Sequence, residues 1–117
     1  MIYVMSDLHG DFKRFKKMID KINLKKEDTL YIIGDVVDRG KEGIKILKYI
    51  MDKDNIVMTI GNHEDWFLSS IENPSDLSMV NFWLNFGGKE TLEEFEKYSK
   101  EEQLEIVEYL KRCRCYE

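Results

Sequence analysis

Soft metal-binding side chains are in short supply in this chain, whose 117 residues include two cysteines and two histidines. The cysteines stand together as Cys113-Arg114-Cys115. A structural zinc site needs four ligands, and the chain has no others to spare, so both are expected to be reduced thiols without a metal. Proline occurs once and glycine seven times, which argues against a disordered or low-complexity chain. A basic excess is also missing. Against 18 lysines and arginines stand 23 acidic residues, and the net charge of −5 argues against a face that neutralises nucleic-acid phosphates. No apolar run approaches the roughly 20 residues of a membrane span. The start, Met1-Ile2-Tyr3-Val4-Met5, lacks the basic region of a signal peptide. Neither a nucleic-acid nor a membrane partner is expected, and the expected location is cytoplasmic. Internal repeats and linkers are absent too, so residues 1–117 are read as one folded domain.

What the chain does have is a set of apolar runs that each stop at a polar cluster. Tyr31-Ile32-Ile33 ends at Gly34, and Asp35, Asp38 and Arg39 follow before Gly40. Residues 2–6 end in Asp7-Leu8-His9-Gly10, and residues 55–60 end in Gly61-Asn62-His63-Glu64. Amphipathic helical patterns lie between the runs. Phe12, Phe15, Met18, Ile19 and Ile22 recur at spacings of three and four, with Lys13, Lys16, Lys17 and Lys21 as the solvated face. Ile44, Leu47, Ile50 and Met51 mark a second helix over 42–52. Strand, helix, strand, helix, strand implies right-handed crossovers and a parallel sheet, α/β in class. The strand ends then share one edge, where ligands bind in such sheets. The third strand is almost continuously apolar and is expected to be covered on both faces.

Beyond Gly61 the pattern turns helical. Residues 62–71 and 75–86 read as helices, with Phe67, Leu68, Met79, Phe82, Trp83 and Phe86 as core and Gly87-Gly88 as a stop. Thr91-Leu92-Glu93-Glu94 and Ser99-Lys100-Glu101-Glu102 both fit a capping box and are expected to start two more helices, ending near Tyr98 and Arg112. Asp11 and Asp65 need be no more than turn formers or caps.

Asp7-Leu8-His9-Gly10, Gly34-Asp35-Val36-Val37-Asp38-Arg39-Gly40 and Gly61-Asn62-His63-Glu64 resemble, in order and spacing, the first three signature motifs of the calcineurin-like metallophosphoesterases. The Asp-Arg-Gly ending, with Trp83-Leu84-Asn85-Phe86-Gly87-Gly88 and Thr91-Leu92, resembles the phosphoprotein phosphatase branch, which holds serine/threonine phosphatases and diadenosine tetraphosphatases. The resemblance implies the N-terminal βαβαβ portion of a four-layer α/β/β/α sandwich, followed by a helical segment. It also implies a catalytic domain that continues past this length, with two more metal-binding histidines, the first on a strand soon after Tyr116-Glu117. The 1–117 domain is therefore expected to be truncated before those ligands, and half a sandwich should expose apolar surface and favour self-association.

Asp7 and His9 are two apart, so on an extended strand both would point to one side and grip a single ion. Asp35 can complete that grip and bridge to a second ion, to which Asn62 offers a neutral oxygen. The resemblance assigns these roles to Asp7, His9, Asp35 and Asn62. It makes the ions manganese or iron, with zinc as a further option, and leaves the second site incomplete in this chain. Two ions roughly 3.5 to 4 Å apart lower the pKa of a shared water and clamp a phosphate, giving hydrolysis by a metal-bridging hydroxide. His63 is expected to protonate the leaving group with Asp38 fixing its tautomer. Arg39, planar and always charged, is expected to bind the phosphate together with Asn62 and His63. The leading expectation is a serine/threonine protein phosphatase acting on a phosphorylated protein or a small phosphoester. The alternatives are a diadenosine tetraphosphatase and, in another class, a non-catalytic metal-binding domain that needs a second chain.

Overall fold

A computed structural model describes residues 1–114, in which the three apolar runs form strands β1 (Ile2–Ser6), β2 (Thr29–Ile33) and β3 (Ile56–Thr59). They pair in parallel in the order β1-β2-β3, with Val4 opposite Tyr31 and Tyr31 opposite Val57. Helices α1 (Phe12–Ile22) and α2 (Gly43–Ile50) are the crossovers. Asp11 caps α1 by accepting from the Arg14 N–H at 3.0 Å, and Asn23 closes it in the left-handed conformation.

Because both crossovers have the same hand and step in the same direction, both helices fall on one face of the sheet. Met5, Leu30, Ile32, Ile56 and Met58 are buried on that face with Phe15, Ile44, Leu47 and Ile50. The other face is open: Ile2 is 69% exposed, Val4 64% and Ile33 48%. The expectation that β3 is covered on both faces is therefore corrected, since Val57 and Thr59 are half-buried and share the open face. These strands and helices are the helical layer and one sheet of the expected four-layer arrangement, and the open face is the apolar surface the sequence led one to expect.

Helices α3 (Asn62–Glu72), α4 (Leu77–Trp83), α5 (Lys89–Glu96) and α6 (Lys100–Arg114) follow. Ser99 and Glu102 make the expected capping box, each bonding the other's backbone N–H. Thr91 does not cap a helix. It lies inside α5, and Glu94 reaches instead to the first turn of α2, accepting from Ile44 N–H at 2.7 Å and Lys45 N–H at 2.9 Å. Gly87-Gly88 does break the helix as expected: Phe86 and Gly87 leave helical geometry, Gly87 at φ +104°, and the kinked turn over residues 84–88 passes directly into α5. Phe82 and Phe86, expected in the core, are 42% and 54% exposed, whereas Trp83 is fully buried. Cys113 is buried and unpaired, and Cys115 lies outside the described residues. Among the described residues, no helix is long and apolar enough to cross a membrane.

Candidate metal and phosphate site

The edge where the strands end is built from backbone that side chains rarely adopt. Of the six non-glycine residues with positive φ among the described residues, five are Asp7, His9, Asp35, Asp38 and Arg39. Such geometry costs on the order of 1 kcal/mol or more per residue and persists only where surrounding structure enforces it. The enforcement is visible. Loops cross-bond at Gly10 N–H to Val36 O (2.7 Å), His9 N–H to Asp35 O (3.0 Å) and Gly40 N–H to His9 O (3.0 Å). Gly34, at φ +59°, packs so closely on the third loop that a Cβ there would stand 2.6 Å from Gly61 Cα.

Asp7 and His9 do meet on one side, but not by strand alternation. β1 ends at Ser6, and left-handed turns at both residues swing the side chains together. Ligand atoms of Asp7, His9 and Asp35 lie within 4.8 Å of one another. His9 Nδ1 faces the Val37 carbonyl at 3.3 Å, and because a carbonyl only accepts, that nitrogen carries the proton and Nε2 keeps its lone pair. The carboxylates have few competing partners, a Ser6 hydroxyl 3.3 Å from Asp7 and a His63 N–H 3.4 Å from Asp35. Neither pairs with a lysine or arginine among the described residues. Two close, uncompensated carboxylates and an imidazole nitrogen are a mixed oxygen and nitrogen donor set that fits a divalent cation.

The neighbouring half of the site is closed and satisfied. His63 Nδ1 lies 2.8 Å from Asp38 Oδ2, and the His63 and His9 rings meet edge to face at 5.1 Å. Asp38 is fully buried. Burial pushes its carboxyl up, and donors from Thr91, His63 and Trp83 oppose that. Trp83 Nε1–H donates to Oδ2 at 2.8 Å and Thr91 Oγ–H to Oδ1 at 2.7 Å, while the Thr91 oxygen accepts the Asp38 N–H at 2.8 Å. With its acceptors engaged, Asp38 holds a proton on His63 Nδ1 and leaves Nε2 facing away.

Glu64 organises the second loop from beneath. Its carboxylate accepts from Asp35 N–H (2.7 Å), Val36 N–H (2.7 Å), Val37 N–H (3.0 Å) and Gly61 N–H (2.9 Å). Burial pushes this carboxyl up as well, against those backbone donors. Each oxygen already meets two N–H groups, so there is no acceptor for a carboxyl proton, and the ionised form is the one that fits.

The sequence reading missed the Glu64 role, the Trp83 N–H and the Thr91 hydroxyl. Glu64 and Thr91 lie within the quoted motifs, but their contacts are long-range, 53 residues in the case of Thr91 and Asp38. Arg39 and Asn62 are exposed. The Arg39 N–H donates to Gly87 O at 2.9 Å, and its guanidinium makes no ion pair among the described residues. Asn62 opens α3 between Gly61 and His63, both of which touch Asp35.

A family model described as calcineurin-like phosphoesterase matches residues 1–112. Similar curated proteins carry the name bis(5'-nucleosyl)-tetraphosphatase, symmetrical. The one from Wigglesworthia glossinidia brevipalpis is 33% identical over 84% of this chain and 41% of its own length. That from Haemophilus ducreyi is 39% identical over 59% and 26%. That from Buchnera aphidicola of Schizaphis graminum is 31% identical over 97% and 38%. The chain thus spans about a quarter to two fifths of the length of these relatives.

Proposed function

The chain belongs to the calcineurin-like phosphoesterase family, and from that premise we propose that its strand-end site serves metal-dependent hydrolysis of a dinucleoside tetraphosphate. The observation that carries the hydrolase reading is the adjacency of the Asp7, His9 and Asp35 ligand atoms to a His63 imidazole pinned by a buried Asp38. The name shared by the relatives supports the substrate, so the diadenosine tetraphosphatase reading stands ahead of the protein phosphatase one.

In this proposal Asp7, His9 and Asp35 would hold one divalent ion, and Asp35 with Asn62 would contribute ligands to a second. Bound there, such ions polarise phosphoryl oxygens and lower the pKa of a water. Arg39 orients the tetraphosphate through paired N–H contacts and offsets its charge. Water adds to one of the two central phosphorus atoms, the bridging P–O bond breaks, and two nucleoside diphosphates leave. As the imidazolium, with its Nδ1–H held by Asp38, His63 gives its Nε2 proton to the departing oxygen and is left as the Nδ1–H tautomer that Asp38 favours. A nucleoside diphosphate is a far weaker base than a serine alkoxide, so His63 has less to do with this substrate than with a phosphoprotein. The proposal also places the chain in the cytoplasm, with its small anionic substrate.

The test is to assay diadenosine tetraphosphate and a phosphoserine peptide side by side with manganese. Conversion of the former to ADP, with little release of phosphate from the peptide, is expected. The reverse preference would return the assignment to a protein phosphatase.

A further inference from the structure

Beside His63 stand three aromatic rings, Trp66 at the edge of the core and Phe82 and Phe86 outside it. The Trp66 ring lies 4.8 Å from the His63 ring, Phe82 lies edge to face on Trp66 at 4.9 Å, and Phe86 lies 4.7 Å from Phe82 and 6.2 Å from Trp66. Trp66 is half-buried, while Phe82 and Phe86 keep 42% and 54% of their surface in water. Large apolar rings left open beside a polar site call for a flat, weakly polar ligand.

We infer that the Trp66, Phe82 and Phe86 cluster is the stacking site for a nucleobase of the substrate. The inference rests on the proposed function for the identity of the substrate, and on the placement of the rings for the site. Phe86 sits at the kink between α4 and α5. Gly87, at φ +104°, follows it and accepts the Arg39 N–H. A Cβ on Gly87 would stand 2.9 Å from Arg39 N and 3.0 Å from its Cγ, so the aromatic turn and the arginine are seated against each other. A nucleotide with its phosphates between Arg39 and the Asp7, His9 and Asp35 donors has the rings at its base end. The cluster offers mainly ring faces, on which any base can stack, so it reads stacking surface more than base identity.

The test is calorimetric titration of ADP and of tripolyphosphate into the manganese-loaded protein, for the natural chain, Phe86→Ala and Phe86→Trp, with diadenosine tetraphosphate hydrolysis followed in parallel. Losing one stacking face is expected to weaken ADP about tenfold and leave tripolyphosphate unchanged, and Phe86→Trp should restore ADP binding. Unchanged ADP affinity in Phe86→Ala, equal losses for both ligands, or no ADP binding by the natural chain would each overturn the stacking site. Hydrolysis with no Phe86 effect sinks the stacking site alone. Base-dependent binding without hydrolysis sinks the proposed reaction and leaves the stacking site standing.

Discussion

On the two sides of the His9 and His63 ring contact the same residue types live under opposite conditions. Asp38 is sealed from water and shared among an indole, a hydroxyl and an imidazole, whereas Asp7, with its side chain 68% exposed, faces His9 Nε2 at 3.8 Å and has little else. The first carboxylate is completed by protein; the second has few partners among the described residues and is free to take a ligand. Strained backbone serves both, with Asp7 and Asp35 at φ +54° and +53° and Asp38 at +75°. The contrast therefore lies in the partners and not in the loops, and in the proposed function it separates what folding alone supplies from what a cation would supply.

The sharpest way to break the completed side is at Glu64. Glu64→Ala strands four backbone N–H groups, and the expected loss is about 3 kcal/mol or more, measured by denaturant unfolding. Glu64→Gln should do nearly as badly, because its amide would turn N–H donors toward backbone donors. A Gln variant as stable as the natural chain would show that charge and acceptor count do not hold these loops.

Next in size, Asp38→Asn should cost about 2 kcal/mol. It should also slow hydrolysis of an alkyl phosphoester about a hundredfold, with a smaller loss on diadenosine tetraphosphate, whose leaving group needs less help. On the open side the stability effect should shrink. Asp35→Asn is expected to change unfolding by less than about 1 kcal/mol while removing manganese affinity, as calorimetric titration would read it. A large destabilisation there would erase the distinction between the two halves.

The smallest effect lies away from the site. The Asp28 carboxyl is held below the usual range by the Lys25 N–H and by the N-terminal ammonium, each at 3.0 Å. The unfolded chain therefore binds a proton first as pH falls. The stability Asp28 adds is present above the ordinary carboxylate value and is lost as pH falls through the folded value. Asp28→Asn should flatten the acid limb of a stability–pH curve, and an unchanged limb would refute the assignment.

Much of this was legible in the sequence, for a physical reason. The apolar runs and the three- and four-residue spacings gave the strands, α1 and α2 because local periodicity decides those elements. The motif residues Asp7, His9, Asp35, Asp38 and His63 converge because parallel strands end at one edge. The rest depended on distance. Thr91 carries a local capping pattern that tertiary structure overrides, drawing its hydroxyl to Asp38 and sending Glu94 to α2. Phe82 and Phe86 fit a core stripe by spacing, yet α4 turns Trp83 inward in place of Phe82, and the kink at Phe86 and Gly87 ends the stripe, so both rings are left in water. The open sheet face follows from strand order, which the composition of β3 alone does not reveal.

The most direct test of the central claim is a manganese titration of the natural chain and of His9→Ala, following both ion binding and thermal unfolding. Binding to the folded state alone stabilises it by about 2.7 kcal/mol at a hundredfold excess over Kd. The account predicts a raised unfolding temperature for the natural chain, reversed by chelator, and no response from His9→Ala. An equal response from both proteins, or none from the natural chain, would contradict it.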